Sequence, residues 1–477
     1  MTWLLDRLAG HARRQPGAVA LETADGEITY AALHLRVARQ AERFREAGVR
    51  RLALAGGNGP AWVVADLAAR RLDLPVVPVP PFFSDAQRRH LIHEARLDHL
   101  YQADQDRLAA TGVAPTSEAG GPAKITFTSG STGTPKGVCL SDDQLRRTVT
   151  ALAEALAPHA GQRHLCVLPL ATLLENVAGV YVPLWLGARV ILPDLATLGF
   201  TGSSRLDPAA FADALARWRP HSVILVPELL RVLMMMAARG APPPASLRFI
   251  AVGGGKVDPG LLTGARSLGL PVYEGYGLSE CGSVVALNVP GADRPGSVGR
   301  VLPHARVRVD EHGEIHVRDA VMNGYLGQAA GDEWPTGDLG RLDADGFLYV
   351  HGRRKNLLIT AFGRNVSPEW VETAFQVCPS VHTLVVQGDG EPALRAVVVP
   401  VPGADRESLL SQIAAVNAGL PDYARVTRIA VADTPFTVDN GLATANGRPR
   451  RDAIEARYPE SLFIPLSEPE PEVPHVS

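Results

Sequence analysis

Short runs of β-branched residues alternate with helical segments along most of the chain. Between about residue 20 and residue 290 these runs include HLCVLP, ARVIL, SVILVP, LRFIAVGG and LPVYEGYG, with segments such as DPAAFADALARW between them. Apolar runs of this length, separated by helices, are typical of parallel strands that are buried on both faces. The sequence therefore predicts an α/β fold with a largely parallel sheet.

The pattern changes from Gly296 onwards. ARVRVDEHGEIHVRD and GRLDADGFLYVHGR each predict two antiparallel strands joined by a glycine-containing turn. After GRRKN, a helix starting at Pro368 with Ser367 as its N-cap opens a small α+β unit. We expect a large N-terminal domain with a β subregion (1–352), a small mobile C-terminal α+β domain (353–464) with a hinge near 353–356, and a disordered tail (465–477).

Composition excludes several classes of partner. The net charge is −3 and no basic run is present, which argues against nucleic acid. The longest apolar stretch, HSVILVPELLRVLMMMAA, is interrupted by Pro227, Glu228 and Arg231, so it predicts a buried strand and a helix rather than a membrane span. The four scattered cysteines and the lack of an export signal predict a cytoplasmic protein.

The stretch FTSGSTGTPKGV, residues 127–138, combines glycines, hydroxyl residues and one lysine. Only a loop with small side chains brings backbone N–H groups close to an anion, so we expect it to bind a polyphosphate. It is not a Walker loop, because Lys136 lies between Pro135 and Gly137. Ser141 and Gln144 have the spacing of a capping box, which places the loop between a strand and a helix.

This loop resembles the phosphate-binding loop of the adenylate-forming superfamily, which includes acyl-CoA synthetases, luciferases and carrier-protein adenylation domains. Three further motifs follow in the order of that family: GYGLSE (275–280), TGD (336–338) and GRRKN. The resemblance extends from about residue 20 to residue 458. Each motif alone is weak, but their joint occurrence in this order is specific.

The resemblance implies ATP, Mg²⁺ and either CoA or the phosphopantetheine of a carrier protein as cofactors. Lys136, Glu280 and Arg448 are the catalytic residues it implies, with Glu280 as the metal ligand. Tyr276 would stack on the adenine and Asp338 would hold the ribose hydroxyls. The nucleotide- and thiol-binding residues that it implies are Thr128, Ser129, Gly130, Ser131, Thr132, Gly133, Thr134, Gly137, Gly254, Gly255, Gly275, Tyr276, Gly277, Ser279, Asp338, Arg353 and Gly363.

The implied chemistry has two steps. A carboxylate attacks the α-phosphorus of ATP and releases pyrophosphate, and a thiol then attacks the acyl-adenylate and releases AMP. A triphosphate must be neutralised before an anion can approach it, and a metal with Lys136 would do so. In the family, the C-terminal domain swings about the hinge between the steps.

Two positions depart from the family pattern. Arg448 stands where the family has the lysine that bridges the substrate carboxylate and the α-phosphate, and Thr172 stands where similar enzymes often have histidine. Glu175 matches the long-chain fatty-acid branch, and no acidic residue is placed to pair with an amino-acid ammonium. A medium or long fatty acid is therefore favoured over an aryl or amino acid.

Two alternatives stay open. In the first, the chain delivers its acyl group to the phosphopantetheine of an acyl carrier protein instead of CoA. In the second, which Arg448 and Thr172 motivate, the chain is a degenerate protein that binds an acyl-adenylate without making it. The presence of Lys136, Glu280 and Asp338 counts against the second alternative.

Overall fold

The computed structural model describes residues 3–81, 83–115, 121–128, 136–159, 161–201, 205–255, 257, 259–361, 365–444 and 447–466. Its α-helices are α1 Trp3–Arg14, α2 Tyr30–Glu46, α3 Pro60–Arg71, α4 Asp85–Glu94, α5 Asp142–Leu156, α6 Val182–Leu186, α7 Pro208–Trp218, α8 Pro227–Ala238, α9 Pro259–Ser267, α10 Pro368–Ala374, α11 Arg406–Ala418 and α12 Arg451–Arg457. A π-helical segment, Glu175–Tyr181, runs directly into α6.

The strands of the first half of the chain are β1 Val19–Thr23, β2 Gly26–Thr29, β3 Leu52–Ala55, β4 Val76–Pro78, β5 His99–Gln102, β6 Arg107–Ala110, β7 Lys124–Thr128, β8 Lys136–Leu140, β9 Arg163–Leu165, β10 Arg189–Ile191, β11 Phe200–Thr201, β12 Arg205–Leu206 and β13 Ser222–Leu225. Those of the second half are β14 Phe249–Val252, β15 Val272–Tyr276, β16 Ala286–Leu287, β17 Arg300–Val301, β18 Arg306–Val309, β19 Glu314–Arg318, β20 Gly324–Tyr325, β21 Gln328–Ala329, β22 Glu333–Leu342, β23 Leu348–Arg353, β24 Leu358–Ile359, β25 Asn365–Val366, β26 Val381–Gln387, β27 Leu394–Pro400, β28 Val426–Val431 and β29 Ile464–Pro465.

Two large sheets form the N-terminal part of the fold. One has the strand order β17-β16-β15-β14-β13-β9-β10-β1-β2, and the other has the order β21-β20-β8-β7-β4-β3-β5-β6. The central strands of both sheets are parallel to their neighbours and fully or mostly buried. The prediction of an α/β fold with buried parallel strands is confirmed.

Antiparallel strands follow where the sequence pattern changes. β18, β19, β22 and β23 form a four-stranded antiparallel sheet. Beyond it, β26 to β29 make a separate sheet, and α10 and α11 contribute buried residues to its core. The chain thus folds into a large N-terminal domain and a smaller C-terminal domain. Pro465 and Leu466, which the sequence assigns to the tail, instead pair with β28.

Helix α5 shows how local pattern produces packing. Leu145, Val149 and Leu152 lie on one face at helical spacing and are buried in the main core. Ser141 accepts a hydrogen bond from the Gln144 N–H at 3.0 Å, as the predicted cap requires. The prediction of a full capping box is wrong, because the Gln144 side chain does not return to the Ser141 backbone N–H. It instead donates to the Ala320 carbonyl at 2.6 Å. That bond ties the helix to the segment before β20.

The phosphate-loop segment has a different context from the predicted one. It does not lead from a strand into a helix. It leads from β7 to β8, which pair antiparallel with Thr128 opposite Lys136, and α5 begins only after β8. Thr128 and Lys136, at the two ends of the phosphate-loop segment, are therefore held together by the ladder of the sheet.

Lys124, in β7, has a structural role that the sequence does not reveal. Its fully buried ammonium group donates to the Asp66 carboxylate at 3.0 and 3.1 Å and to the Tyr181 hydroxyl at 3.1 Å, and it also bonds Asn176. Burial lowers the pKa of Lys124, and the Asp66 charge acts against that fall. The paired charges lock α3, β7 and the π-helical segment together.

Within the described residues, no helix combines the length and apolar character that a membrane span requires. HSVILVPELLRVLMMMAA folds as β13 followed by α8, as predicted. Cys139, Cys166, Cys281 and Cys378 are buried free thiols.

Candidate active site

Asp338 is the centre of a group of polar side chains contributed by three separate segments. It lies in β22, is 4% exposed, and accepts a hydrogen bond from the Tyr276 hydroxyl at 2.7 Å and an ion pair from Arg353 Nε at 2.7 Å. Thr336 Oγ1 fixes the backbone by accepting from the Asp338 N–H at 3.0 Å. The structure therefore brings together three residues that the sequence singled out separately.

Burial raises the pKa of Asp338, while Arg353, the Tyr276 hydroxyl and Arg448 act against that rise. Burial also raises the pKa of Tyr276, so its hydroxyl stays protonated and can only donate to the carboxylate. A carboxylate offers about four acceptor positions. Two protein bonds leave capacity on Asp338 for two adjacent hydroxyl groups of a ligand.

Arg448 reaches this group from the C-terminal domain. One of its terminal nitrogens donates to the carbonyl oxygen of Gly254 at 2.7 Å. Gly254 lies just beyond β14 with φ +76°, a conformation that a side chain would strain. Arg448 thus contacts the glycine segment that is predicted to bind the nucleotide. Its positive charge also acts against the rise in the pKa of Asp338.

A second group lies around Glu280, four residues beyond Tyr276. Glu280 is part of a short 3₁₀ turn, Ser279–Cys281, and its Oε1 accepts a hydrogen bond from the Tyr325 hydroxyl at 2.9 Å. The ammonium group of Lys136 lies 5.4 Å from the centre of the Tyr325 ring. Tyr325 therefore links the two residues that were predicted to hold the metal and the phosphates.

Sequence reasoning missed Tyr325 and Thr336. Thr336 is the first residue of the TGD motif, so the sequence contained a signal for it. Its hydrogen bond to the Asp338 backbone N–H is visible only in the structure. Tyr325 stands in NGYLG, where nothing local distinguishes it from a packing aromatic.

The predicted glycines have different roles. A Cβ on Gly277 would lie 1.7 Å from the Ser283 carbonyl oxygen, so the chain itself requires glycine there. On Gly255 the nearest atoms to a Cβ are those of Pro227 at 3.6 Å, which is ordinary van der Waals contact, so a small side chain would fit there without a clash. Gly137 and Gly275 lie in strands β8 and β15, where neighbouring side chains approach within 3.0 Å of a Cβ.

Several predicted positions lie outside the described residues, namely Ser129, Gly130, Ser131, Thr132, Gly133, Thr134 and Gly363. Lys256, to which the sequence assigns no role, also lies outside them.

Glu175 does not line a ligand site. It is fully buried in the π-helical segment, accepts from the Leu168 N–H at 3.2 Å, and lies 3.3 Å from His164 Nε2. Its carboxylate is thus used to hold the preceding loop against β9. The substrate argument drawn from Glu175 therefore loses its direct structural basis.

Two other side-chain clusters have donors for a cation. His164, Cys166 and Glu175 lie within 4.8 Å of one another, and so do Asp310, Glu314 and His316. In the first cluster, which is buried, His164 and Glu175 bond each other and the Cys166 thiol donates to the Gly179 carbonyl. In the second, Glu314 pairs with Arg354 at 2.5 Å. Glu280 differs, because within the described part of the chain its Oε2 has no hydrogen-bond or ion-pair partner. It fits a hard cation beside a polyphosphate.

Comparisons with known proteins agree with this geometry. The chain matches the family model described as AMP-binding enzyme over residues 8–119 and 102–326, and the model described as AMP-binding enzyme C-terminal domain over residues 355–462. It is similar to long-chain-fatty-acid–CoA ligase FadD15 of Mycobacterium bovis, with 26% identity over 72% of this chain and 68% of that protein. Indoleacetate–CoA ligase of Aromatoleum aromaticum is 27% identical over 95% of this chain and 98% of that protein.

The fold is also that of a solved enzyme. O-succinylbenzoate coenzyme A synthetase (MenE) of Bacillus subtilis, in complex with ATP and magnesium ion, superposes with a TM-score of 0.77 at 23% identity, covering 94% of this chain and 98% of that one.

Proposed function

The chain belongs to the AMP-binding enzyme family of the adenylate-forming superfamily, as an AMP-forming acid–thiol ligase, and on that premise we propose that it activates a fatty acid with Mg²⁺-ATP and transfers the acyl group to CoA. The observation that carries the proposal is the meeting of Tyr276, Arg353 and Arg448 around the buried carboxylate of Asp338. These residues come from β15, β23 and the C-terminal domain, and a nucleotide bound at Asp338 would contact all of them.

Each group has a task in adenylate formation. Asp338 accepts the ribose hydroxyls, the Tyr276 ring offers a face to the adenine, and Arg353 supplies positive charge beside them. Lys136, at the start of β8, supplies charge to the phosphates that the preceding loop holds. Glu280 would hold Mg²⁺, whose charge would offset part of the negative charge of the triphosphate.

Arg448 carries the charge that the transition state needs. Its bond to Gly254 uses one terminal nitrogen, and the fork of the guanidinium retains other N–H donors for an anion. The substrate carboxylate attacks the α-phosphorus as pyrophosphate leaves, so negative charge accumulates between the two reactants. A cation held at Gly254 stabilises that charge, which is why the contact fits the first half-reaction.

The second half-reaction requires the thiol to reach the acyl carbon. Arg448 and the C-terminal domain occupy the site in the present arrangement, so we infer that they withdraw about the hinge after pyrophosphate leaves. Asn356, in the proposed hinge segment, bonds Glu369 of α10, which ties the segment to the C-terminal domain. The thiol then attacks the acyl carbon, and AMP is expelled.

The substrate is proposed to be a medium or long fatty acid. Gly255 has no side chain and its neighbour Pro227 is apolar, a combination that suits contact with an alkyl chain. The name of FadD15 specifies a long-chain fatty acid, whereas the names of the other two relatives specify indoleacetate and succinylbenzoate. An aryl acid is therefore the competing substrate class.

The test is mass-spectrometric detection of acyl-adenylate and pyrophosphate after mixing the purified protein, Mg²⁺-ATP and a panel of fatty, aryl and amino acids without any thiol. We expect product with fatty acids of one range of chain lengths. Product with aryl acids alone would overturn the substrate assignment. No product, with ATP binding intact, would favour a protein that binds the adenylate without forming it.

A second stage settles the acceptor. CoA and a phosphopantetheinylated acyl carrier protein are supplied separately to the preformed acyl-adenylate, and AMP release is followed. We expect acyl-CoA. Transfer to the carrier protein alone would contradict the proposal.

A further inference from the structure

Tyr325 contacts both charged residues of the proposed metal-phosphate site. Its hydroxyl donates to Glu280 Oε1 at 2.9 Å, and its ring lies 5.4 Å from the Lys136 ammonium nitrogen. An ionised carboxylate can only accept, so the Tyr325 hydroxyl is the donor in this bond.

The backbone fixes this side chain firmly. Strand β20 pairs with β8, with Tyr325 opposite Val138, and the Leu326 N–H donates to the Gly137 carbonyl at 2.9 Å. The same segment holds the turn that carries Glu280, because the Met322 N–H donates to the Glu280 carbonyl at 2.7 Å. One short strand therefore sets the relative position of β8 and the 3₁₀ turn.

A second aromatic ring packs against Tyr325. Trp334 lies edge-on to Tyr325, with ring centres 5.8 Å apart and planes at 76°. The tyrosine ring is thus held from one side by Trp334 and meets the Lys136 ammonium, so it has little freedom to turn away.

Lys136 and Glu280 have opposite charges, yet within the described residues no ion pair joins them. The hydroxyl of Tyr325 engages only one oxygen of Glu280, and the face of its ring satisfies the ammonium group weakly. Both charged groups are consequently kept in position and available, one for a cation and the other for an anion.

We propose that Tyr325 is a positioning residue that orients Glu280 for Mg²⁺ and keeps Lys136 from pairing with Glu280 before the nucleotide binds. The inference rests on the proposed function, since it assumes that the metal and the phosphates of ATP bind here. Tyr325 touches neither reactant and acts through its two neighbours.

The test is a titration of Mn²⁺ into the full-length protein with α,β-methylene-ATP, followed by electron paramagnetic resonance, so that no turnover is needed. Tyr325→Phe keeps the ring beside Lys136 but removes the hydroxyl from Glu280. We expect Mn²⁺ binding to weaken about tenfold, the effect of losing one hydrogen bond to a charged group, with metal-free binding of the analogue unchanged. Tyr325→Leu also removes the ring, and it should weaken binding of the metal-free analogue as well.

Tyr349 offers a matched control. Its hydroxyl donates to Asp343 at 3.4 Å and the Arg341 guanidinium lies 3.6 Å from its ring centre, so it has the same two kinds of partner outside the proposed site. Tyr349→Phe should leave the Mn²⁺ titration unchanged.

The outcomes separate the two proposals. Tyr325→Phe with wild-type Mn²⁺ affinity would overturn the positioning role, whether or not any acid is adenylated. Equal weakening of metal-bound and metal-free nucleotide, with a lowered melting temperature, would show a merely structural role. Weakened Mn²⁺ binding in a protein that adenylates no acid would support the positioning role and contradict the proposed activity.

Discussion

The guanidinium of Arg448 donates to the carbonyl oxygen of Gly254 at 2.7 Å, although the two residues are 194 positions apart in the chain. This contact places Arg448, which is predicted to replace the family's lysine, in the candidate active site. A lysine has one ammonium group and cannot make the same bond while presenting a planar pair of donors to an anion.

We expect Arg448→Lys to lower the rate of acyl-adenylate formation about tenfold, because the site is built around the fork of the guanidinium. Pyrophosphate release measures the rate. Arg450→Lys is the control, since Arg450 is exposed and donates to the Gly441 carbonyl at 3.3 Å. A faster Arg448→Lys enzyme would mean that the natural residue impairs adenylation.

Asp338→Asn should weaken ATP binding by roughly tenfold to a hundredfold, since hydrogen bonds to a charged acceptor contribute about 1.5–3 kcal/mol each. The asparagine keeps the size of the side chain but loses the charge that holds Arg353. Calorimetric titration with ATP checks the effect. Asp345→Asn, which alters an exposed carboxylate paired with Arg294, should bind ATP as the wild type does.

Lys124→Met should destabilise the protein by about 3–5 kcal/mol, because it leaves the Asp66 carboxylate buried without its cation. Urea unfolding followed by tryptophan fluorescence measures the loss. Adding Asp66→Asn should recover part of it, since the unpaired charge is then removed. Arg146→Met breaks an exposed pair with Asp143 and should change stability by less than about 1 kcal/mol.

The stability should fall as the pH drops from about 6.5 toward 4, in part because of His304. Burial, aided by the Arg147 charge, lowers the pKa of His304 to about 4. In an unfolded chain the pKa of a histidine is near 6.5, so over this interval the unfolded chain binds a proton that the folded chain does not. The free energy of unfolding therefore falls by at most about 1.4 kcal/mol for each pH unit. Below about pH 4 this component levels off.

His304→Gln should remove this component, so the difference in the free energy of unfolding between pH 7 and pH 4.5 becomes smaller than in the wild type. Urea unfolding at the two pH values gives that difference. His382→Gln replaces an exposed histidine and should leave it unchanged. An unchanged difference in His304→Gln would contradict the assignment.

The alternation of apolar runs and helices predicted the α/β core because strand and helix periods are local properties of the chain. The same holds for the two antiparallel hairpins after Gly296, where each turn lies between strands that are close in sequence. The motif around Asp338 was likewise identified from the sequence, and its ligand role stays a prediction. The pairing of β7 with β8 was missed, because the helix cap at Ser141 was predicted to follow the loop directly, whereas β8 lies between them.

The sequence by itself determined the fold class and the family, since both are expressed in residue type and spacing, and it predicted that Arg448 replaces the family's lysine. Only the tertiary structure decided that Glu175 is an internal anchor and that Tyr325 joins Lys136 to Glu280. It also decided that Tyr276 and Arg353 share Asp338. The physical reason is that hydrogen bonds and ion pairs depend on distances of a few ångströms, and chain packing alone brings distant residues within that range.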